Sequence, residues 1–207
     1  MKARKRLYAV IFDLEFTAWE GSMEHRWSRA GEHREVVQIG AVKLDAASLK
    51  EVDAFEMLIR PRLNPVLSDY LVQLTGITNQ ALGARGVDFI TAYRAFLDFV
   101  GEAHLWAHGR DDAILTENLK LYGWEGTAAV PAYSNAIPWF AAQGVELKGK
   151  HACDVAEAAG AAFAGRKHDA LADARGVATG FIALIERGAP NPFLNQGLAP
   201  TLGPLGS

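Results

Sequence analysis

Asp13 and Glu15 lie two residues apart inside an otherwise apolar run, Leu7-Tyr-Ala-Val-Ile-Phe-Asp-Leu-Glu-Phe16. Such a run reads as a buried strand, and the two-residue side-chain period of a strand puts both carboxylates on one face. The strand rise sets them about 7 Å apart. Two like charges held so close in an apolar setting cost free energy unless a cation lies between them. A divalent metal ion is the simplest cation for the place; the alternative is an edge strand with a solvated polar face.

Two further clusters carry chemistry. Gly109-Arg-Asp-Asp112 follows directly on His104-Leu-Trp-Ala-His108, which reads as a strand. Acids at a strand-to-helix junction cap the helix and complement its dipole. Asp111 fits the cap, and Asp112 then falls in the first turn, where it can face the crevice at the carboxyl end of the strands. The other cluster is Lys167-His-Asp-Ala-Leu-Ala-Asp-Ala-Arg-Gly176. On a regular helix His168 and Asp173 are separated by about 140° of rotation and share no face. They converge when His168 lies in the entering loop, Asp169 caps the helix and Asp173 sits within it. Taken alone, His168 reads equally well as an exposed loop residue and Asp173 as a solvated helix residue.

Elements that could bring these groups together are visible in the rest of the chain. Its 207 residues, 50% of them apolar, suffice for one domain with a full core. Strands are expected over residues 7–16, 35–44 and 53–60, the last two separated by the turn-prone stretch 45–50, and short links make these three an antiparallel meander. Ser68 and Gly76 bracket a short helix, and Asp88 to Val100 carries an amphipathic stripe of Phe89, Ile90, Tyr93, Phe96, Leu97 and Val100. Strands over 104–108 and 132–136 and helices over 111–121, 150–159 and 168–187 complete a mixed sheet with helices packed on it. The segment 19–34 reads as a polar loop whose Arg26, Arg29 and Arg34 meet either phosphates or solvent. Trp106, Trp124 and Trp139 read as packing residues. Residues 188–207 read as an irregular tail, and the final Gly-Pro-Leu-Gly-Ser looks like a cloning remnant.

The single cysteine, Cys153, excludes an internal disulfide and any cysteine-built zinc site, and reads as a small buried hydrophobe. No apolar stretch is long enough to span a membrane and no signal-type region opens the chain, so a cytoplasmic protein is expected. A net charge of −3 argues against a long duplex footprint. It leaves room for a short phosphate chain held through metal ions at clustered carboxylates.

Phe12-Asp-Leu-Glu-Phe-Thr17, an acid after the strand ending at His108, and His168-x4-Asp173 resemble, in that order, the three motifs of the DEDDh 3′-to-5′ exonuclease superfamily. Glu35-Val-Val-Gln-Ile-Gly-Ala-Val42, Leu74-Thr-Gly-Ile-Thr78 and Gly165-Arg-Lys-His-Asp169 are similar to its histone-mRNA exonuclease and KapD-like branch. The resemblance covers about residues 7 to 187. It implies an α/β, ribonuclease H-like fold, a five-stranded mixed sheet flanked by helices. It also implies a site of Asp13, Glu15, Asp112 and Asp173 holding two Mg²⁺ or Mn²⁺ ions, with His168 as general base. Phe16, Thr17, Leu74, Gly76 and Ile77 would line the terminal nucleotide.

All-oxygen ligands suit Mg²⁺ or Mn²⁺, and two such ions suit in-line attack of water on a phosphodiester. In that arrangement Asp13 bridges both ions, Glu15 and Asp173 complete one site and Asp112 serves the other. Three readings follow. The chain is a metal-dependent 3′-to-5′ exonuclease on single-stranded or 3′-tailed nucleic acid, releasing nucleoside 5′-monophosphates, with RNA favoured. Alternatively the same chemistry acts on single-stranded DNA or short oligonucleotides. In a different class, the chain is a non-catalytic nucleic-acid-binding module.

Overall fold

The organising element of the computed structural model, which describes residues 6–126 and 130–194, is a strand buried on both faces. This is β1 (Tyr8–Phe16), in which every residue from Ala9 to Glu15 is buried. It lies at the centre of a five-stranded sheet with β2 (Val36–Asp45), β3 (Glu51–Leu58), β4 (His104–Ala107) and β5 (Tyr133–Asn135), in the order β3-β2-β1-β4-β5. β1, β2 and β3 form the expected antiparallel meander, whereas β4 and β5 run parallel to β1. Ile11 stands opposite Trp106, which sets the carboxyl end of β4 level with Asp13. The fold is the mixed sheet flanked by helices that the sequence implied.

The strand's two-residue period separates two cores. Val10, Phe12 and Leu14 share one with Phe89, Tyr93 and Phe96 of α4 (Phe89–Val100) and with Ile114, Leu115 and Leu119 of α5 (Asp111–Leu121). Ala9 and Ile11 share the other with Ala174, Val177 and Phe181 of α8 (Ala170–Glu186). Asp13 and Glu15 continue the second series, so they point to the α8 side, just where the apolar packing ends.

Capping explains where the helices begin. The side chains of Ser68, Asp88 and Asp169 accept from Leu71 N (3.1 Å), Thr91 N (3.0 Å) and Ala172 N (2.9 Å), opening α2 (Asp69–Thr75), α4 and α8. Three helices were not expected: α1 (Ser22–His25) inside the polar loop, α3 (Asn79–Arg85) and α6 (Ala136–Ala142); α7 (Val155–Ala158), beside α8, falls within the helix expected over 150–159. Pro138 lies in the first turn of α6, where proline is tolerated. Cys153 is buried, in a 3₁₀ turn (Ala152–Asp154). The expected irregular tail begins inside the core, because a further 3₁₀ turn (Pro192–Leu194) seats Phe193 against Trp106 and Phe181, at 5.8 and 5.1 Å between ring centroids. The chain's last thirteen residues, 195–207, Gly-Pro-Leu-Gly-Ser included, lie outside the described residues. Among the described residues no helix is long and apolar enough to cross a membrane.

Buried polar side chains fasten the functional end. Asn118 of α5, fully buried, donates to Arg34 O (2.7 Å) and accepts from Val36 N (2.9 Å), locking α5 to the start of β2. The buried Glu35 carboxylate accepts from the N–H groups of Arg62, Leu63 and Asn64 and from the Tyr122 hydroxyl. On the other side α8 approaches β2 so closely that a Cβ on Gly40 would lie 2.1 Å from Leu171 N. That approach brings the first turn of α8, with Asp173, over β1. Gly40→Ala is therefore expected to push α8 off the sheet and lower stability by about 1–3 kcal/mol; urea unfolding measures it, and an unchanged midpoint contradicts this packing.

Candidate active site

Four carboxylates from three elements converge at the carboxyl end of β1. Asp13 and Glu15 come from β1, Asp111 from the first residue of α5, and Asp173 from the first turn of α8. All four are buried, and all line a cleft of about 700 Å³. His168 lies on the loop entering α8, as the rotation argument required, in a left-handed backbone conformation with φ 61°. Its N–H donates to Asp173 Oδ2 at 3.2 Å, tying the loop to the helix it enters. Ligand atoms of Glu15, His168 and Asp173 lie within 4.8 Å of one another.

The electrostatic consequence is the one like charges in an apolar cleft must have. Burial, then Asp111, Glu15 and Asp173, hold the Asp13 carboxyl well above its ordinary range. Burial with Asp173 and Asp111 pushes Glu15 up to about 8. Asp111 rises to about 7 through burial, against the opposing effect of a backbone hydrogen bond. Asp173 also rises to about 7 through burial, against the His168 N–H bond that favours its charge. Burial, and next the neighbouring His151, lower His168, which keeps its imidazole neutral and able to accept a proton near neutral pH.

A divalent cation fits this donor set. Asp111 Oδ2 and Asp173 Oδ1 are buried oxygens without a hydrogen-bond partner among the described residues, and buried polar atoms rarely go unsatisfied. Hard carboxylate oxygens in this number suit Mg²⁺ or Mn²⁺.

The structure corrects the third acid. The cleft receives Asp111 and not Asp112, whose carboxylate turns outward to Arg110, 2.9 Å from Nε and 3.3 Å from Nη2. Nor does Asp111 cap the helix: Arg110 holds the cap position, without a side-chain bond. The buried face of α5 runs Asp111, Ile114, Leu115, Asn118, Leu119, a helical stripe that includes Asp111 and rotates Asp112 about 100° away. That spacing was readable in the sequence.

Of the residues expected at the nucleotide, Phe16 and Leu74 line the cleft. Thr17, Gly76 and Ile77 do not. The Thr17 hydroxyl is buried, donating to His33 O and accepting from Glu35 N at 2.9 Å, because β1 and β2 must be stitched together where their register shifts. Ile77 packs with Val37, Leu58, Leu67 and Leu82, and Gly76 ends α2 with φ 75°. Their places are taken by Trp19, Met23, Trp27, Tyr70 and Leu71, which form an apolar wall, with Trp27 Nε1 held by Thr17 O at 2.9 Å. From the polar loop only Arg34 of the three arginines lines the cleft, while Arg110, Lys150, His108 and His151 line it elsewhere. The loop's lack of periodicity concealed this wall. Trp124 and Trp139 pack against the cores as expected, and so does Trp106.

The profile of the exonuclease family matches residues 10–181. ERI1 exoribonuclease 2 of Xenopus laevis is 31% identical over 75 residues, covering 35% of this chain and 10% of that protein. Human 3′-5′ exoribonuclease 1 is 34% identical over 71 residues, covering 34% of this chain and 19% of that protein. These matches thus span a fifth or less of those relatives. The nuclease domain of 3′hExo, a DEDDh family member bound to rAMP, superposes with a TM-score of 0.75 and 22% identity over 89% of this chain and 94% of that one. The chain belongs to the exonuclease family, the membership that the order of its acids and histidine implied.

Proposed function

We propose that this protein is a divalent-metal-dependent 3′-to-5′ exonuclease that releases nucleoside 5′-monophosphates from single-stranded or 3′-tailed nucleic acid, with RNA favoured. The observation that carries this reading is the convergence of four buried carboxylates beside a neutral histidine in an open cleft. The preference for RNA is supported by relatives that are themselves named exoribonucleases. A binding module has no use for four carboxylates at a place meant for a polyanion, which argues against the non-catalytic alternative.

Asp13, Glu15, Asp111 and Asp173 would hold two Mg²⁺ or Mn²⁺ ions. Bound there, the ions supply Lewis-acid activation of water and charge stabilisation for the leaving 3′ oxygen. The remaining work falls to the chain. Phe16, Leu71, Leu74 and Tyr70 offer apolar surface to the terminal base, a contact that every base can make. Arg34 and Arg110, at the cleft wall, suit phosphate oxygens. His168 takes the proton of the attacking water through an imidazole nitrogen as the water oxygen bonds to phosphorus and the bond to the 3′ oxygen breaks. Asp173 fixes the histidine loop through the backbone N–H of His168.

The direct test is incubation of purified protein with Mg²⁺ or Mn²⁺ and matched end-labelled RNA, DNA and 3′-tailed duplexes. Stepwise shortening from the 3′ end with release of 5′-monophosphates is expected. Binding without metal and without shortening of any substrate contradicts the proposal.

His168→Ala is expected to lower turnover roughly 10²-fold or more while Mn²⁺ binding persists. Asp111→Asn should cost roughly 10²-fold or more, by loss of a preorganised charge, whereas Asp112→Asn stays close to wild type. Equal losses at 111 and 112 would restore Asp112 to the site.

The metal-free protein should also show the repulsion directly. Carboxyls raised to about 7 and 8 bind protons more tightly folded than unfolded. Their stabilising contribution is complete below about pH 4 and disappears as pH climbs through 7 to 8. The thermal midpoint without metal should therefore fall between pH 5 and pH 8, and Mn²⁺ should raise it more at pH 8 than at pH 5. A metal-induced rise independent of pH would contradict the raised values.

A further inference from the structure

One side chain joins the apolar wall of the cleft to the histidine loop. Arg166 stands two residues before His168, and its Nη2 donates to the carbonyls of Gln73 at 3.0 Å and Leu74 at 3.4 Å, at the C-terminal end of α2. Carbonyls in the last turn of a helix lack helical partners, and a cation there complements the negative end of the helix. The guanidinium fills the space beside Gly76: a Cβ at that position would lie 2.4 Å from Arg166 Nη1. The absence of a side chain at Gly76 therefore admits the Arg166 guanidinium.

The loop is fastened residue by residue to three different partners. Arg166 binds α2, Lys167 Nζ reaches Asp154 Oδ1 at 2.8 Å, and the N–H of His168 binds Asp173. A left-handed conformation at a histidine, φ 61°, costs free energy and persists only when the surroundings hold it. Of the three fastenings, the one through Asp173 leads to the carboxylates, and the one through Arg166 leads to the apolar wall on which a base would rest. The same helix whose end it grips presents Tyr70, Leu71 and Leu74 to the cleft, and Leu74 supplies both a cleft contact and a carbonyl to Arg166.

We propose that Arg166 is a positioning residue that couples the α2 wall to His168, so that a terminal base resting on Tyr70 and Leu74 helps to place the histidine for proton transfer. The inference rests on the exonuclease reading given above and adds a specificity device to it. Binding energy from the base, which does not react, would appear in turnover and not in KM alone. The coupling runs through hydrogen bonds of an exposed guanidinium, so the effect expected is about fivefold, the size of one ordinary net hydrogen bond.

The test is a cycle between protein and substrate. Turnover and KM are measured with the metal-loaded full chain on a single-stranded oligonucleotide whose 3′-terminal residue is either intact or abasic, for wild type, Arg166→Ala and Arg166→Lys. In the wild type, loss of the base should lower kcat about fivefold. In Arg166→Ala, kcat on the intact substrate should already be reduced by about that factor, and removal of the base should raise KM with no further loss of kcat. Arg166→Lys, which keeps the charge and one donor group, should recover part of the dependence of kcat on the base. An Arg166→Ala enzyme with wild-type kcat overturns the proposal. So does one with reduced kcat that keeps the full abasic effect, since a purely structural role would leave the two changes additive. A wild-type protein that shortens no substrate contradicts the exonuclease reading itself, a result distinct from either of these.

Discussion

The free energy of burying four carboxylates together is the constraint on which the rest of this structure depends. Asp13, Glu15, Asp111 and Asp173 repel one another across a cleft that water only partly solvates, and all four are pushed toward their protonated forms. Left to itself such a cluster would spread. It is kept together because each carboxylate stands on an element anchored elsewhere. β1 is buried on both faces, Asn118 locks α5 to the edge of β2, and α8 lies against Gly40 with nothing between the backbones. Stability held in the cores thus sustains the unfavourable charge arrangement at the cleft, the pattern expected where a site is preorganised for a cation.

Asp169 shows how closely the scaffold and the charges are interwoven. It caps α8 through Oδ1 while Oδ2 accepts from Gln38, and Gln38 Oε1 accepts from Ala170 N. This exchange seats the helix end on β2 directly opposite Glu15, with which Gln38 is paired in the sheet register. The same aspartate raises the pKa of Asp13 and Glu15. One side chain therefore both positions the fourth acid and adds to the field that a cation must neutralise.

What could be read from the sequence was what local periodicity determines. The alternation around Asp13 and Glu15 gave their shared face, and the rotation between positions 168 and 173 gave the loop placement of His168. Sheet order and the extra helices depend on tertiary packing, and α1, α3 and α6 are too short to show a period. The misplaced acid has a different origin. An acid at a helix start reads as a cap, whereas the stripe through Ile114, Leu115 and Asn118 puts Asp111 on the buried face. Thr17 and Gly76 carry motif positions whose physical roles, stitching β1 to β2 and admitting Arg166, appear only when distant segments meet. The apolar wall built by Trp19, Met23 and Trp27 was hidden in an aperiodic loop.

The account stands on the claim that the four carboxylates share their charge with divalent ions. Calorimetric titration of Mn²⁺ into the metal-free protein near pH 7, repeated in buffers of different ionisation enthalpy, reads both the number of ions and the protons they displace. Carboxyls raised to about 7 and 8 are partly protonated at that pH, so binding of two ions per chain with release of protons is predicted. Binding that releases no protons, or that persists unchanged in Asp13→Asn, would contradict it.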